Sequence, residues 1–268
     1  MGETTEDEGD SGEALIEMRS IEKKFGRVQA LDGVDLELRE NEVLGLVGDN
    51  GSGKSTLIKV LVGIHDPDGG EIYIRGKRVR IDNPTDARKH GIATVYQDLA
   101  LVDEMSVASN IFLGRNPTRR IAGVVELIDW QQMHQRAEEI LKNRLNIDLN
   151  PTQRVEFLSG GERQAIAIAR ALVTEPDIVV LDEPTSALSA DSASRVHELI
   201  RSLHEEGLSI IIISHNIDEI FSLTDRITVL DNAKLVGTVD SESVTKDDVL
   251  RMIIEGVGVD EPSTTMSA

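Results

Sequence analysis

Glu42-Val43-Leu44-Gly45-Leu46-Val47 runs straight into Gly48-Asp49-Asn50-Gly51-Ser52-Gly53-Lys54-Ser55, and this junction decides the fold. An apolar run that short, closed by glycine, reads as a buried strand. The octet matches G-x-x-x-x-G-K-[ST], whose backbone cradles nucleotide phosphates. Residues 55–62 then read as a helix, with Gly63 as its stop. The three glycines let the backbone bend tightly and turn successive N–H groups inward, and the following helix presents its N-terminus to the phosphates. Lys54 reaches the β- and γ-phosphates in this reading, the Ser55 hydroxyl holds Mg²⁺, and Thr56 continues the nucleotide-binding set. The alternative is a glycine-rich turn before an ordinary helix; the strand before the loop and the helix after it argue against that.

A second apolar run, Ile178-Val179-Val180-Leu181, ends in Asp182-Glu183-Pro184. A buried strand places Asp182 at the carboxyl edge of a sheet, where ligands bind in open α/β folds. There it suits a Mg²⁺ held through its water shell. Glu183, next along and expected to point the other way on the strand, is the candidate general base for an attacking water. Acids at strand ends are common, and this pair gains weight only beside the glycine loop. Asp182 follows Lys54 by 128 positions, more than a simple nucleoside kinase needs and enough for a helical insertion.

Leu158-Ser159-Gly160-Gly161-Glu162-Arg163-Gln164 stands between the two. A glycine pair at a helix start can be a plain cap. The stretch nevertheless resembles the signature of ATP-binding-cassette (ABC) ATPases. The resemblance implies an α/β fold: a P-loop (RecA-like) ABC ATPase core with an antiparallel β subdomain and an inserted helical subdomain. It also implies that Ser159 and the N–H groups of Gly160 and Gly161 contact the γ-phosphate of a nucleotide held by a partner subunit.

Other positions match the family's elements one by one. Phe25, in Lys23-Lys24-Phe25-Gly26, matches the aromatic that stacks on adenine. Gln97, in Val95-Tyr96-Gln97-Asp98, matches the glutamine that senses Mg²⁺ and the attacking water and connects to the transmembrane partner. Ser186-Ala187-Leu188 matches the partner-facing segment, and His215, in Ser214-His215-Asn216, the switch histidine at the γ-phosphate. Each has a plainer alternative: a core aromatic for Phe25, a surface residue for Gln97, a satisfied core histidine for His215. One position departs from the pattern. The partner-facing segment usually ends in aspartate, and Ser189 stands there, which puts in question how tightly two ATP sites are coupled.

Residues 103–115 and 214–221 look like segments of monosaccharide-importer ATPases. Those often carry two fused cassettes, whereas one is visible here, as in single-cassette ribose- and fructose-type members, and no regulatory domain is expected after Gly256. The expected assembly is a homodimer, or a pair with a second ATPase subunit, beneath transmembrane permease subunits fed by an extracytoplasmic solute-binding protein. ATP and Mg²⁺ are the implied cofactors. A soluble ABC ATPase of cofactor assembly or translation, or an importer ATPase for a non-sugar solute, stays open, and the solute is not named by any residue.

Composition narrows the classes. Cysteine is absent from the 268 residues, which removes disulfides, thiolate catalysis and zinc–cysteine sites. The net charge of −20 argues against nucleic-acid binding, which needs a basic face. It fits a high-salt adaptation or an ordinary acidic protein with an acidic tail. No apolar run approaches the roughly 18 residues of a membrane span. The acidic N-terminus lacks a basic-then-apolar leader pattern, so the expected place is the cytoplasmic face of the membrane.

The expected organisation is an acidic disordered tail at 1–13, and an N-terminal part of the ATPase core with the antiparallel β subdomain at 14–97. A helical subdomain at 98–160, the C-terminal part of the core at 161–256 and a tail at 257–268 follow. Strands are expected at 14–20, 33–38, 71–75, 77–81, 92–96, 177–181, 209–214, 227–230 and 234–239. Residues 102–155 read as mostly helical, and helices are expected at 161–173, 191–206 and from 216.

Overall fold

The computed structural model describes residues 14–121 and 125–258; the tail expected at 1–13 and residues 259–268 of the tail expected at 257–268 lie outside the described residues. The chain opens with a long hairpin, β1 (Ala14–Phe25) and β2 (Val28–Arg39), followed by β3 (Val43–Val47) and helix α1 (Lys54–Leu61). Next come β4 (Gly69–Ile74), β5 (Lys77–Val79), α2 (Pro84–Lys89) and β6 (Ile92–Val95). The middle carries α3 (Val107–Ile111), β7 (Thr118–Ile121), β8 (Val125–Ile128) and α4 (Trp130–Glu139), the last running into a π turn at Ile140–Arg144. Helix α5 (Gly160–Leu172), β9 (Ile178–Asp182), α6 (Ala190–Glu205), β10 (Ser209–Ile213) and α7 (Ile217–Leu223) follow. The described chain closes with β11 (Arg226–Asp231), β12 (Lys234–Asp240) and α8 (Lys246–Glu255).

Two sheets organise the core. One is antiparallel, in the order β2-β1-β4-β5; the other runs β12-β11-β3-β10-β9-β6, with every pair parallel except β11–β12. The central strands are apolar on both faces because both faces are covered. Val43 and Val47, Val179 and Leu181, and Ile210 and Ile212 face the cluster shared with α5, α6 and the middle segment. Their neighbours Leu44 and Leu46, Ile178 and Val180, and Ile211 and Ile213 face the cluster shared with α1 and the antiparallel sheet. Alternation along each strand sends every second side chain to the opposite core. Each isoleucine or leucine buried this way contributes about 1.5–3 kcal/mol.

The consequence for function is geometric. Parallel β3, β9, β10 and β6 all end at one edge of the sheet, so the segments that follow them collect there. Those segments carry residues 48–55, 183, 215 and 97.

The middle of the chain departs from expectation. Residues 102–155 contain short α3, a two-stranded hairpin β7–β8, and one longer helix, rather than being mostly helical. The sequence Thr118-Arg119-Arg120-Ile121 pairs in antiparallel register with 125–128, and Arg120 Nε donates to Glu126 Oε1 at 2.9 Å. Such cross-strand pairs are invisible to a search for helical spacing. Both strands of the first hairpin are also longer than the alternation indicated, because register shifts along β1 break the period of two. Helices α2 and α8 were not expected; Asn83 and Thr245 cap them through side-chain oxygens that accept backbone N–H bonds. Among the described residues no helix is long and apolar enough to cross a membrane.

Candidate functional site

The loop 48–55 takes its shape from where its glycines lie. Gly48 has φ 147°, and a Cβ there would stand 2.1 Å from the carbonyl oxygen of Leu230. Gly53 has φ 110°, and its Cβ would stand 2.7 Å from the carbonyl oxygen of Ala30. Only glycine fits either position. Gly51 and Asp49, Asn50 line the outer bend, and Ser52 is buried beneath it. Gly53 is the N-cap of α1, so Lys54, Ser55 and Thr56 form the helix's first turn.

Lys54 is folded into its own loop. Its Nζ donates to the carbonyls of Gly48 at 2.6 Å and Asp49 at 2.9 Å. Burial pulls its pKa down, opposed by the negative charges of Glu183, Asp49 and Asp182. The same proximity acts on Asp182: burial first and Glu183 second push its carboxyl up, while Lys59 and Lys54 pull it back. The half-buried acid and the half-buried ammonium thus share one pocket of low dielectric. Asp182 offers a hard oxygen and Ser55 a hydroxyl, donor types that suit Mg²⁺, which keeps much of its water and takes phosphate oxygens.

Glu183 lies outside the strand on which it was expected. β9 ends at Asp182, and Glu183 has φ 53°, in the left-handed region. That conformation costs of order 1–3 kcal/mol and persists only where neighbours hold it. Here the Glu183 N–H donates to Ile213 O at the end of β10 (2.9 Å), and Ser186 donates from its hydroxyl to Glu183 O at 3.2 Å. The turn aims the carboxylate at His215, whose Nδ1 is 2.7 Å from Glu183 Oε2. The His215 side chain is 69 % exposed, which removes the core-histidine alternative. The structure therefore brings together Lys54, Asp182, Glu183 and His215.

Gln97 is exposed, two residues past β6, whose end pairs with β9 at Val95↔Leu181. Phe25 closes β1 and is 44 % exposed, so it is not a core aromatic. Its ring meets the His65 ring edge-on at 5.0 Å, and Lys23 Nζ stands 5.6 Å from its centroid.

Ser159 stands elsewhere. It is the N-cap of α5 in a full capping box: its N–H donates to Glu162 Oε2 at 2.8 Å, and its hydroxyl donates to the same oxygen at 2.7 Å. The plain-cap reading is thus real, and it leaves Ser159 and Gly160 exposed at the head of a 13-residue helix. Gly160 and Gly161 admit close neighbours: a Cβ on Gly160 would lie 2.8 Å from Leu188 Cδ2, and one on Gly161 3.1 Å from Ser192 Cβ. Segment 186–188 therefore packs on the helix start. A cavity of about 480 Å³ beside it is lined by Ser159, Glu162, Asp148 and Arg195 among others, and by no residue of the 48–55 loop. Ser189 caps α6 and donates its hydroxyl to Ser192 Oγ at 3.1 Å.

One group escaped the sequence reading. Glu219, on α7, is 2 % exposed and accepts hydrogen bonds from Thr185 and Ser214, with His197 beside it. The available signal was a carboxylate four residues after His215 between Ile217 and Ile220, on a helix's buried side.

Comparison with known proteins places the chain in one family. Residues 31–186 match the family model described as ABC transporter. The chain is 46 % identical over 242 residues to the ribose import ATP-binding protein RbsA of Caldanaerobacter subterraneus, covering 90 % of this chain and 48 % of that protein. It is 42 % identical to the xylose/arabinose import ATP-binding protein XylG of Sulfolobus acidocaldarius, covering 89 % of this chain and 93 % of that one. The chain spans about half the length of the RbsA-type relatives it matches. Among solved structures it superposes on the ATP-binding cassette MJ1267 of an ABC transporter with TM-score 0.79 at 26 % identity, covering 90 % of this chain and 98 % of that one. It also superposes on the dimeric bacterial ABC transporter cassette MJ0796 with TM-score 0.69 at 26 % identity, covering 84 % and 98 %. With the family model running from β2 through the glycine loop and the helix headed by Ser159 to the acids at the end of β9, this chain belongs to the ABC transporter family.

Proposed function

We propose that this chain is the ATP-hydrolysing motor of an importer for a simple sugar, acting on the cytoplasmic face of the membrane beneath separate permease subunits. The observation that carries the reading is the meeting of Lys54, Asp182, Glu183 and His215 at one sheet edge, in a chain 42–46 % identical to ribose and xylose/arabinose import ATP-binding proteins.

In this reading the loop N–H groups and Lys54 hold the ATP phosphates, and Phe25, exposed at the end of β1, receives the adenine. Ser55, Asp182 and Gln97 would hold Mg²⁺, which would supply charge neutralisation for the phosphoryl group. Glu183 takes the proton of the attacking water, and its 2.7 Å approach to His215 lets the imidazole orient that carboxylate and reach the γ-phosphate. The exposed Ser159 and the N–H groups of Gly160 and Gly161 meet the γ-phosphate of a second cassette's nucleotide. That cassette is another copy of the chain or a related ATPase. For this contact the Ser159 hydroxyl must turn from Glu162 to the phosphate. Because ATP then touches both cassettes only when they are closed, its differential affinity drives closure and hydrolysis reverses it. The segment after Gln97 passes the motion to the permease, which receives sugar from an extracytoplasmic binding protein.

Ser159→Arg separates the two halves of this scheme. The isolated chain is expected to bind ATP as the parent does, since Ser159 lies away from the loop, while ATP-dependent dimerisation is lost to the bulky cation. Size-exclusion chromatography with ATP in a Glu183→Gln background reads it; a dimer that still forms moves the partner contact off α5.

Uptake of labelled sugar tests the transport reading. Cells lacking the chain are expected to lose uptake of ribose, xylose or arabinose and to regain it with the parent but not with Glu183→Gln. Undiminished uptake of all three assigns the motor to another solute.

A further inference from the structure

Glu219 is a buried carboxylate that, among the described residues, pairs with no lysine or arginine. A charge placed so deep is costly unless hydrogen bonds compensate it. Three groups do. The Thr185 hydroxyl donates to Oε1 at 2.7 Å, His197 Nε2 lies 3.0 Å from the same oxygen, and the Ser214 hydroxyl donates to Oε2 at 2.6 Å. These come from the segment after β9, from α6 and from the end of β10.

Two of the three flank the reacting acid and its histidine. Thr185 is two residues after Glu183 and one before the 186–188 segment. Ser214 immediately precedes His215, and its Oγ also accepts from the Asn216 N–H at 3.0 Å, so the turn is held on both sides of the imidazole. Asn216 in turn caps α7, accepting from the N–H groups of Asp218 and Glu219. From this we infer that Glu219 is a positioning residue: its carboxylate clamps the Glu183 turn and the His215 turn at one fixed separation, and so keeps the two side chains in register for hydrolysis without touching nucleotide itself.

A carboxylate suits the site because the Thr185 and Ser214 hydroxyls each donate to a different oxygen, and His197 Nε2 donates to the first of them in the tautomer protonated there. Glutamine has the same shape but replaces one acceptor oxygen with an NH₂, which meets either Ser214 on one side or Thr185 and His197 on the other. One turn must then shift.

The inference rests on the ATPase reading above, and the test separates the two. Purified full-length chain is assayed for steady-state ATP hydrolysis, for nucleotide affinity by titration and for melting temperature. Glu219→Gln is expected to lower kcat about 10–100-fold, the scale on which misplacement by an ångström acts. Nucleotide affinity should stay at the parental level. Thr185→Val, isosteric and without the hydroxyl, should lower kcat in the same sense at a parental melting temperature, and Thr185→Ser should restore it. A structural role alone would lower the melting temperature and affinity together and would not be rescued by the hydroxyl. Parental kcat in Glu219→Gln, or identical behaviour of Thr185→Val and Thr185→Ser, overturns the positioning role. A parent chain that hydrolyses no ATP overturns the ATPase reading and this inference with it.

Discussion

Glu183→Gln should bind ATP as tightly as the parent and hydrolyse it about 10²–10⁴-fold more slowly, the range that a general base supplies. The expectation follows from where the carboxylate is. It is held at φ 53° by bonds to its own backbone, from Glu183 N–H to Ile213 O and from Ser186 to Glu183 O, none of which involves the side chain. The amide therefore inherits the same turn, and it loses the carboxylate's basicity together with the negative charge that acts on Lys54 and Asp182. Binding should be spared because, in the proposed scheme, residues 48–56 hold most of the phosphate contacts. With hydrolysis stalled and the phosphate contacts intact, the two-cassette form should accumulate in ATP. Single-turnover hydrolysis alongside nucleotide titration reads both effects, and turnover at the parental rate would place the base elsewhere.

Lys54→Ala should act on binding first. The ammonium is half-buried, and its pKa is drawn down chiefly by that burial. In the structure it is satisfied by the Gly48 and Asp49 carbonyls, partners that the proposed scheme has it exchange for phosphate oxygens. A charged hydrogen bond of this kind is worth about 1.5–3 kcal/mol, so nucleotide affinity should fall roughly 10–150-fold. The fold should survive, because the alanine still begins α1 after Gly53 and the buried face of that helix is Leu57, Ile58, Val60 and Leu61. Calorimetric titration with ATP, with circular dichroism as the check on folding, decides the matter. Unchanged affinity would remove residues 48–55 from the nucleotide site.

Much of the architecture was readable because it rests on local patterns. β3, β9 and β10 are short, carry runs of four or five non-polar residues, and are bounded by glycine, acid or polar residues, as strands covered on both faces read. The loop 48–55 has a conformation that only its glycines allow, so composition and shape are the same information there. The glycine pair 160–161 marked the start of α5, and in the structure Ser159 and Glu162 close a capping box there. The family resemblance, carried by seven residues around Ser159, led to the same fold as the superposition on MJ1267.

What the sequence could not supply are relations between residues far apart in the chain. The β7–β8 hairpin looked helical because cross-strand partners leave no period in a single strand. Glu183 was read as part of β9, whereas a hydrogen bond to β10, thirty positions away, turns it into the left-handed region and towards His215. The spacing of Ile217 and Ile220 marks Glu219 only as lying on a buried side; its meaning comes from Thr185, His197 and Ser214, which the parallel order β10-β9 brings to one point. Local sequence thus determined which strands are buried, where the phosphate loop bends and which residue types are available for chemistry, because dihedral preference and apolar periodicity act over a few residues. Tertiary structure alone decided which acid faces which histidine and what holds them, because those distances are set by strand order and close packing across the whole domain.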